Sequence, residues 1–327
     1  MPRVSVILPA YNAEAYLKEA IDSILNQTFP DFQLIVINDC STDGTEEIIR
    51  QYADPRLVPV KNEKNLGIAA TLNRGLSLAQ GDYIARMDAD DISLPHRLER
   101  QVAYLDTHPD IAVLGTNVET FDENGPLCTG WSSTDPAQMK ADLFFSCGLA
   151  HPSVMMRKSV IQALGGYDPE FEGLEDYELW FRVARSHGVT TLPEVLFRYR
   201  VHSGQVTKNP SEKYMTRLRA LKSRQLAQLG LPEQELEQYL ALSMGKRPRT
   251  GEELLCADGF FHRVSQANRS AGCYDPDLLE ASFRSILLSS AAALPRSETS
   301  DLRTHLIDKN MLRRYRMKQI LRRWLGR

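Results

Sequence analysis

The chain has 327 residues and a formal net charge of −3, with 43% hydrophobic and 25% charged residues. This balance fits a globular protein of one large or two ordinary domains, and excludes a disordered chain or one that binds nucleic acid through overall positive charge. Five cysteines without a CxxC spacing argue against a disulfide framework or zinc ribbon and favour a cytoplasmic location, and no apolar run reaches the length of a membrane span.

Strands and helices are predicted to alternate through about the first hundred residues. The predicted strands are 4–8, 32–37, 57–60 and 83–87, and the predicted helices are 15–27, 45–52, 68–79 and 95–106. This order implies an α/β fold with a mostly parallel sheet and helices on both faces.

The later part of the chain predicts two kinds of structure. Further strands are predicted at 111–118, 152–156 and 196–201, a hairpin turn at 124–125 and a helix at 174–186. From about residue 205 the pattern becomes helical. We therefore expect two domains, 1–204 and a helical region 205–327.

Three carboxylates follow the fourth predicted strand within four residues, at Asp88, Asp90 and Asp91. Carboxylates crowded at the end of a buried strand repel one another and resist desolvation. A hard divalent cation such as Mg²⁺ or Mn²⁺ resolves that conflict because it favours carboxylate and phosphate oxygens. The alternative is a solvated acidic turn before a helix.

Six motifs in order resemble those of the family 2 glycosyltransferases, which are inverting enzymes with the GT-A fold. The resemblance covers roughly residues 3–204. The matching stretches are Val4–Asn12, Val36–Thr45 (resembling VDDGSTDGT), Lys64–Gly75, Asp88–Asp91 (the D-x-D motif), Gly173–Trp180 (the E-D motif) and Tyr199–His202. Two departures are Asn38, where the family has Asp, and Cys40, where it has Gly.

The resemblance implies a nucleotide-binding site on the first two strand-to-helix loops. Asp39 follows a buried strand at the end where open α/β sheets bind ligands, and the family uses this carboxylate for the uracil edge. Guanine also offers N–H donors, so a GDP-sugar stays open, and an Asx-turn is the structural alternative. Pro9 and Tyr11 are implied to lie against the nucleoside, or else to pack at the loop base. Asp43 is expected to open the following helix.

The resemblance also assigns metal-binding and catalytic carboxylates. It makes Asp90 a direct metal ligand and places Asp88 near the ribose and diphosphate, with His202 as a third ligand, a diphosphate contact or a polar loop residue. Inversion needs one base to deprotonate the acceptor hydroxyl, and the match makes Asp176 that base. The alternative for Asp176 is a first-turn interaction with the helix dipole.

The last nineteen residues, 309–327, predict a basic amphipathic helix. Apolar residues recur at helical spacing and arginines surround them, as in peripheral membrane anchors. This pattern predicts either peripheral binding to an anionic membrane surface or docking of the apolar stripe on the protein.

Together these features predict a Mn²⁺- or Mg²⁺-dependent inverting glycosyltransferase. It would move a sugar from a nucleotide-sugar, with UDP favoured, to a hydroxyl of a glycan or lipid-linked saccharide. The alternatives are a polyprenyl-phosphate sugar synthase and a non-catalytic protein that binds sugar nucleotides. A dehydrogenase is disfavoured because no GxGxxG follows the first strand.

Overall fold

The computed structural model describes residues 1–130, 132–202, 211–244, 248 and 250–293. Its strands are β1 (Val4–Ala10), β2 (Phe32–Asn38), β3 (Leu57–Lys61), β4 (Tyr83–Arg86), β5 (Ile92–Ser93), β6 (Ile111–Asp122), β7 (Gly125–Gly130), β8 (Met155–Arg157) and β9 (Gly188–Arg200). Its helices are α1 (Leu17–Leu25), α2 (Thr45–Arg50), α3 (Ile68–Leu78), α4 (Arg97–Thr107), α5 (Pro136–Phe145), α6 (Lys158–Ala163), α7 (Glu175–Val183), α8 (Glu212–Gln228), α9 (Leu236–Ser243), α10 (Gly251–Ala271) and α11 (Pro276–Ala293).

The chain forms two compact units. The first comprises Met1–Leu143 and Cys147–Arg217, and the second comprises Phe144–Ser146 and the chain from Leu218 onward. The domain boundary predicted after residue 204 and the predicted tail helix 309–327 both lie outside the described residues.

The first unit is built on one sheet whose strand order is β3-β2-β1-β4-β8-β6-β9-β5, with β7 paired to β6. Strands β1 and β2 are mostly apolar and every residue in them is buried, as expected for strands covered on both faces. They pair in parallel, and β1 pairs in parallel with β4 on its other side. The carboxyl ends of these strands therefore meet at one edge of the sheet.

The other half of the sheet is mixed. Strand β8 pairs antiparallel with both β4 and β6, whereas β6 and β9 are parallel to each other. The predicted strand 152–156 is only partly correct, because residues His151–Ser153 form a 3-10 turn and β8 begins at Met155. The hairpin turn predicted at 124–125 is confirmed between β6 and β7.

Helices cover the sheet with their apolar faces. The buried residues of α1 are Leu17, Ala20, Ile21 and Ile24. They belong to a core cluster with the alternate β1 residues Val4, Val6 and Leu8. Tyr83 and Ala85 of β4, and Met87 directly after it, belong to the same cluster. Arg86 therefore points to the opposite face of the sheet.

The second unit is helical, as predicted, and contains α9 to α11 together with the part of α8 from Leu218 onward. Its centre holds the fully buried Lys222, whose Nζ donates hydrogen bonds to the carbonyl oxygens of Phe144 (2.7 Å) and Phe145 (3.1 Å). The same ammonium lies 4.7 Å from the ring centre of Tyr239. A buried charge is tolerated there because carbonyl dipoles and a ring face partner it. No helix within the described residues is both long enough and apolar enough to cross a lipid bilayer.

Candidate active site

Two strand-to-helix loops are hydrogen-bonded to each other at the carboxyl edge of β1 and β2. The side-chain oxygen of Asn12 accepts a hydrogen bond from the backbone N–H of Thr42 (2.9 Å). The carboxylate of Asp43 accepts one from the backbone N–H of Glu14 (3.0 Å), and its other oxygen accepts from Thr45 N–H (3.1 Å). Asp43 thus lies at the start of α2, as predicted, and the two loops form one platform.

Asp39 lies between this platform and the loop that precedes α3. Its side chain is buried, and Oδ1 accepts hydrogen bonds from Asn62 Nδ2 (2.6 Å) and the N–H of Leu66 (2.9 Å). Oδ2 accepts one from the N–H of Gly67 (3.1 Å). The carboxylate therefore holds the β3–α3 loop, and a lone pair on Oδ2 remains for a further donor. Recognition of a nucleobase N–H by Asp39 stays a prediction.

The two departures from the family pattern have local explanations. Asn38 donates from Nδ2 to Glu46 Oε2 (2.7 Å) and accepts at Oδ1 from the N–H of Ser41 (2.9 Å). An aspartate at position 38 would place two carboxylates against each other, so the amide suits Glu46. Cys40 has φ 61°, the left-handed conformation that glycine adopts most easily.

Pro9 and Tyr11 lie at the end of β1, where the sequence predicted nucleoside contacts. Pro9 is buried in the strand and pairs in register with Ile37, whereas the Tyr11 side chain is 53% exposed. Tyr11 therefore has a ring face open to solvent, and Pro9 has a packing role inside the sheet.

The acidic loop after β4 brings Asp88, Asp90 and Asp91 together. Each offers a carboxylate oxygen, and these oxygens all lie within 4.8 Å of one another. Asp91 is buried; its Oδ1 accepts a hydrogen bond from the N–H of Arg200 (2.8 Å), and its Oδ2 has no hydrogen-bond partner among the described residues. His202 Nε2 lies 2.9 Å from Asp90 Oδ2. The structure thus brings Asp88, Asp90 and His202 into one cluster.

The electrostatics of this acidic loop are unfavourable without a further cation. Burial raises the pKa of Asp88, and the charge of Asp90 adds to this effect while the Arg86 guanidinium opposes it. Burial raises the pKa of Asp91 well above its usual range, with the charges of Asp88 and Asp90 adding to it. Three hard oxygen donors and an orphaned buried carboxylate oxygen fit Mn²⁺ or Mg²⁺.

A second group of carboxylates lies in the first turn of α7. The Sγ of Cys147 donates to Asp176 Oδ2 at 3.7 Å, and the N–H of Tyr177 donates to Asp176 Oδ1 at 2.6 Å. Burial raises the pKa of Asp176, and these two donors oppose the rise. Glu175 accepts a hydrogen bond from the N–H of Gly173 (2.6 Å). Burial and the charge of Asp176 raise the pKa of Glu175 to about 7.

A buried chain of side chains supports this turn. His151 Nε2 lies 2.9 Å from the Tyr167 hydroxyl, and His151 Nδ1 lies 3.9 Å from Glu175 Oε1. Burial lowers the pKa of His151 well below its usual range, so the ring is neutral. The sequence did not indicate that these three side chains are neighbours, because residues 151, 167 and 175 come from three different segments.

Arg86 is the functional candidate that motif comparison missed. It forms an ion pair with Asp88, and its charge also opposes the rise in the pKa of Asp91 and of Asp176. Both carboxylate groups therefore lie within the electrostatic reach of one guanidinium. The sequence did contain a signal for Arg86, because an arginine is unusual in a buried strand. Arg86 also lies two residues before Asp88, a spacing that places two side chains on the same side of an extended segment.

Comparison with known proteins shows similarity to glycosyltransferases. The family model described as Glycosyl transferase family 2 matches residues 5–165. The amylovoran biosynthesis glycosyltransferase AmsE of Erwinia amylovora is 33% identical over 226 residues, which are 64% of this chain and 81% of AmsE.

Two solved structures share the fold. S. aureus TarS (residues 1–349, in complex with UDP) is 21% identical with a TM-score of 0.58, covering 87% of this chain and 92% of the TarS chain. Mannosyltransferase PcManGT from Pyrobaculum calidifontis, in complex with GDP-Man and Mn²⁺, is 20% identical with a TM-score of 0.52 over 98% of this chain and 84% of its own. These likenesses confirm the GT-A fold predicted from the sequence.

Proposed function

The chain belongs to glycosyl transferase family 2, and we propose that it transfers a sugar from a nucleotide-sugar, UDP-linked in the first instance, to a hydroxyl group with inversion. The observation that carries this proposal is the pairing of two different carboxylate groups in the first unit. One group has the donors for a divalent cation, and the other has a single carboxylate held by neutral donors. A purely binding protein needs only the first group.

We assign the acidic loop to the donor diphosphate. Asp88 and Asp90 would hold Mn²⁺ or Mg²⁺, with His202 as a third ligand or as a contact that orients Asp90. A bound divalent cation supplies positive charge that stabilises the nucleoside diphosphate as a leaving group. Arg200 orders this loop, because its Nε donates to the carbonyl oxygen of Asp90 (2.7 Å) and its N–H donates to Asp91.

We assign Asp176 the role of general base. A base must be ionised to accept the hydroxyl proton, and the S–H of Cys147 and the N–H of Tyr177 both stabilise the ionised form of Asp176. Burial acts in the opposite direction and makes the carboxylate a better proton acceptor near neutral pH. Glu175 holds the preceding turn by accepting from Gly173 N–H, and the charge of Asp176 raises the pKa of Glu175.

We assign the nucleobase to the platform made by the loops after β1 and β2. Asp39 would accept an N–H of uracil at its remaining lone pair, and the exposed Tyr11 ring would lie against the nucleoside. Pro9 would shape the strand end that carries Tyr11. The structure of TarS contains UDP and that of PcManGT contains GDP-Man, so nucleotides of both donor classes occur in proteins of this fold.

A glycan or lipid-linked saccharide is the proposed acceptor. The relative AmsE is described by its part in amylovoran biosynthesis, which favours a polysaccharide product. We also propose a cytoplasmic location with residues 309–327 at the inner face of the membrane, on the sequence pattern alone. A polyprenyl-phosphate acceptor is the competing outcome, because a phosphate acceptor does not require the base.

A panel of nucleotide-sugars, each tested for thermal stabilisation and hydrolysis with and without Mn²⁺, tests the proposal. We expect UDP-sugars to stabilise the protein most, and only when Mn²⁺ is present. Stabilisation by no nucleotide-sugar in either condition would remove the proposed function. Transfer to a polyprenyl phosphate that survives Asp176→Asn would select the competing acceptor.

A further inference from the structure

Arg86 is a buried arginine at the centre of the acidic residues of the first unit. It is the last residue of β4 and is 5% exposed, and Asp88 follows two residues later in the loop. Its guanidinium pairs with Asp88, while its Nε has no hydrogen-bond partner among the described residues. Its backbone carbonyl accepts a hydrogen bond from Arg97 Nη2 (2.6 Å). The main chain is thus fixed, and the side chain has a direct partner in Asp88.

The surroundings of Arg86 carry more negative than positive charge. Asp88 is in contact, and Asp91, Glu175 and Asp176 are close enough for the guanidinium charge to oppose the rise in their pKa values. Burial disfavours the guanidinium charge, but the neighbouring carboxylates outweigh burial and raise the pKa of Arg86. Arg86 is therefore a permanent charge that offsets part of the repulsion in the acidic loop.

This position creates a competition. A divalent cation at the cluster needs oxygens of Asp88, and one of these, Oδ2, forms the ion pair with Arg86. Two cations that share the partly buried carboxylate of Asp88 repel each other, because the buried Arg86 side chain and the protein around it screen them less than water does. Arg86 should then weaken the binding of a free metal ion. When no metal ion is bound, the same charge should stabilise the acidic loop.

We propose that Arg86 is the resident counter-ion of the acidic loop: it neutralises Asp88 in the metal-free protein and competes with a divalent cation for that carboxylate. This inference rests on the proposed function, since it takes the acidic loop as the metal site. Its consequence is that Mn²⁺ alone binds weakly. The negative charge of a nucleoside diphosphate offsets Arg86, so metal and nucleotide bind with strong mutual cooperativity.

The test compares variants of the full chain in two measurements, one without a divalent metal and one with Mn²⁺ but without a nucleotide. Arg86→Met removes the charge and keeps an unbranched side chain, and Arg86→Lys keeps the charge. Arg157→Met is the control, because Arg157 donates to backbone carbonyls at Ile111 (2.8 Å) and His108 (2.9 Å) instead of pairing with the acidic loop. The first measurement is the melting temperature in EDTA, and the second is titration with Mn²⁺ alone, followed by the electron paramagnetic resonance of free Mn²⁺.

We expect Arg86→Met to melt at a lower temperature than wild type in EDTA and to bind Mn²⁺ about tenfold or more tightly. Arg86→Lys should stay close to wild type in Mn²⁺ affinity. Arg157→Met should lower the melting temperature without changing Mn²⁺ affinity. If Arg86→Met is folded only with Mn²⁺, that dependence supports the proposal, and Arg86→Gln provides the affinity measurement.

Two results would overturn the inference, and they are distinguishable. If Arg86→Met and Arg86→Gln are folded but bind Mn²⁺ no more tightly than wild type, the counter-ion role is excluded. The proposed function would remain intact. If neither the wild type nor any variant binds Mn²⁺, even with UDP present, both the proposed metal site and the inference built on it would be refuted.

Discussion

The acidic loop at Asp88–Asp91 and the first turn of α7 both bury carboxylates, yet they are suited to different chemistry. In the loop, the carboxylates face one another, with one guanidinium beside Asp88 and one orphaned oxygen on Asp91. In the α7 turn, Asp176 accepts hydrogen bonds from neutral donors, an S–H and an N–H. The partners of a buried carboxylate, more than the number of acids nearby, therefore distinguish a metal site from a proton acceptor.

This difference has a physical basis. Carboxylates crowded within 4.8 Å gain most from a cation that they can share. A carboxylate held by neutral donors keeps its orientation and its ability to take up a proton. A substitution in one of these two regions should therefore leave the role of the other region unchanged.

The largest effect is expected for the acidic loop. Asp90→Ala should remove a metal ligand and lower transfer by about 10³-fold, since a metal supplies several kcal/mol of charge stabilisation in the transition state. Steady-state transfer with increasing Mn²⁺ provides the measurement, and EDTA should abolish wild-type activity. Asp82→Ala is the control, because Asp82 is an exposed carboxylate at the other end of the same strand. Full transfer by the wild type in EDTA would contradict the metal assignment.

The next effect is expected for the α7 turn. Asp176→Asn should lower kcat by about 10²-fold or more, because an amide cannot accept the hydroxyl proton. Affinity for the nucleotide-sugar and the response to Mn²⁺ should be unchanged. Glu170→Gln, at an exposed carboxylate before the same helix, should leave kcat unchanged. Near-normal turnover by Asp176→Asn would exclude it as the base.

A smaller effect is expected at Asp39, which resembles Asp176 in being held by neutral donors. Asp39→Asn should reduce the preference for UDP over CDP by about tenfold, since a hydrogen bond to a charged group contributes about 1.5–3 kcal/mol. Asn62→Ala removes one partner of Asp39 but leaves its carboxylate, so this control should keep the preference. Competition binding of UDP and CDP measures both variants. Equal competition by CDP and UDP in the wild type would refute the uracil assignment.

The smallest effect is expected at Cys147. Its S–H favours the ionised form of Asp176, so Cys147→Ala should raise the pKa of that carboxyl. Because the proposed base can accept a proton only when ionised, activity should fall as pH drops through this pKa. The acidic limb of kcat/KM should therefore move to higher pH by about half a unit. Cys147→Ser retains a donor and should restore the limb. An acidic limb that is identical in all three proteins would rule out this contact as an influence on the base.

The fold was predictable where the signal is local. Strands β1, β2 and β4 are short apolar runs followed by turn residues, and α1 and α3 have clear helical periodicity. Strand β5 has two residues and β7 is mostly exposed, so neither has a hydrophobic pattern to detect. The insertion of β8 between β4 and β6 is a long-range pairing that periodicity does not encode.

The residues of the candidate site also fall into two groups: those in local sequence motifs and those whose importance comes only from tertiary contacts. Asp88, Asp90 and Asp176 lie in sequence motifs, and His202 was expected near the metal ligands and lies beside Asp90. Arg86 and Cys147 gain their importance only from tertiary contacts with Asp88 and Asp176. His151 shows the same limit, because its neutral, buried state depends on Tyr167 and on the packing around it.

Calorimetric titration with UDP, with and without Mn²⁺, tests the division between a metal site and a proton acceptor most directly. Wild type and Asp176→Asn should bind UDP equally well with Mn²⁺ and more weakly in EDTA. Asp90→Ala should bind UDP as weakly with Mn²⁺ as wild type does in EDTA. An Asp90→Ala variant that gains as much UDP affinity from Mn²⁺ as the wild type, or an Asp176→Asn variant that gains none, would contradict the division.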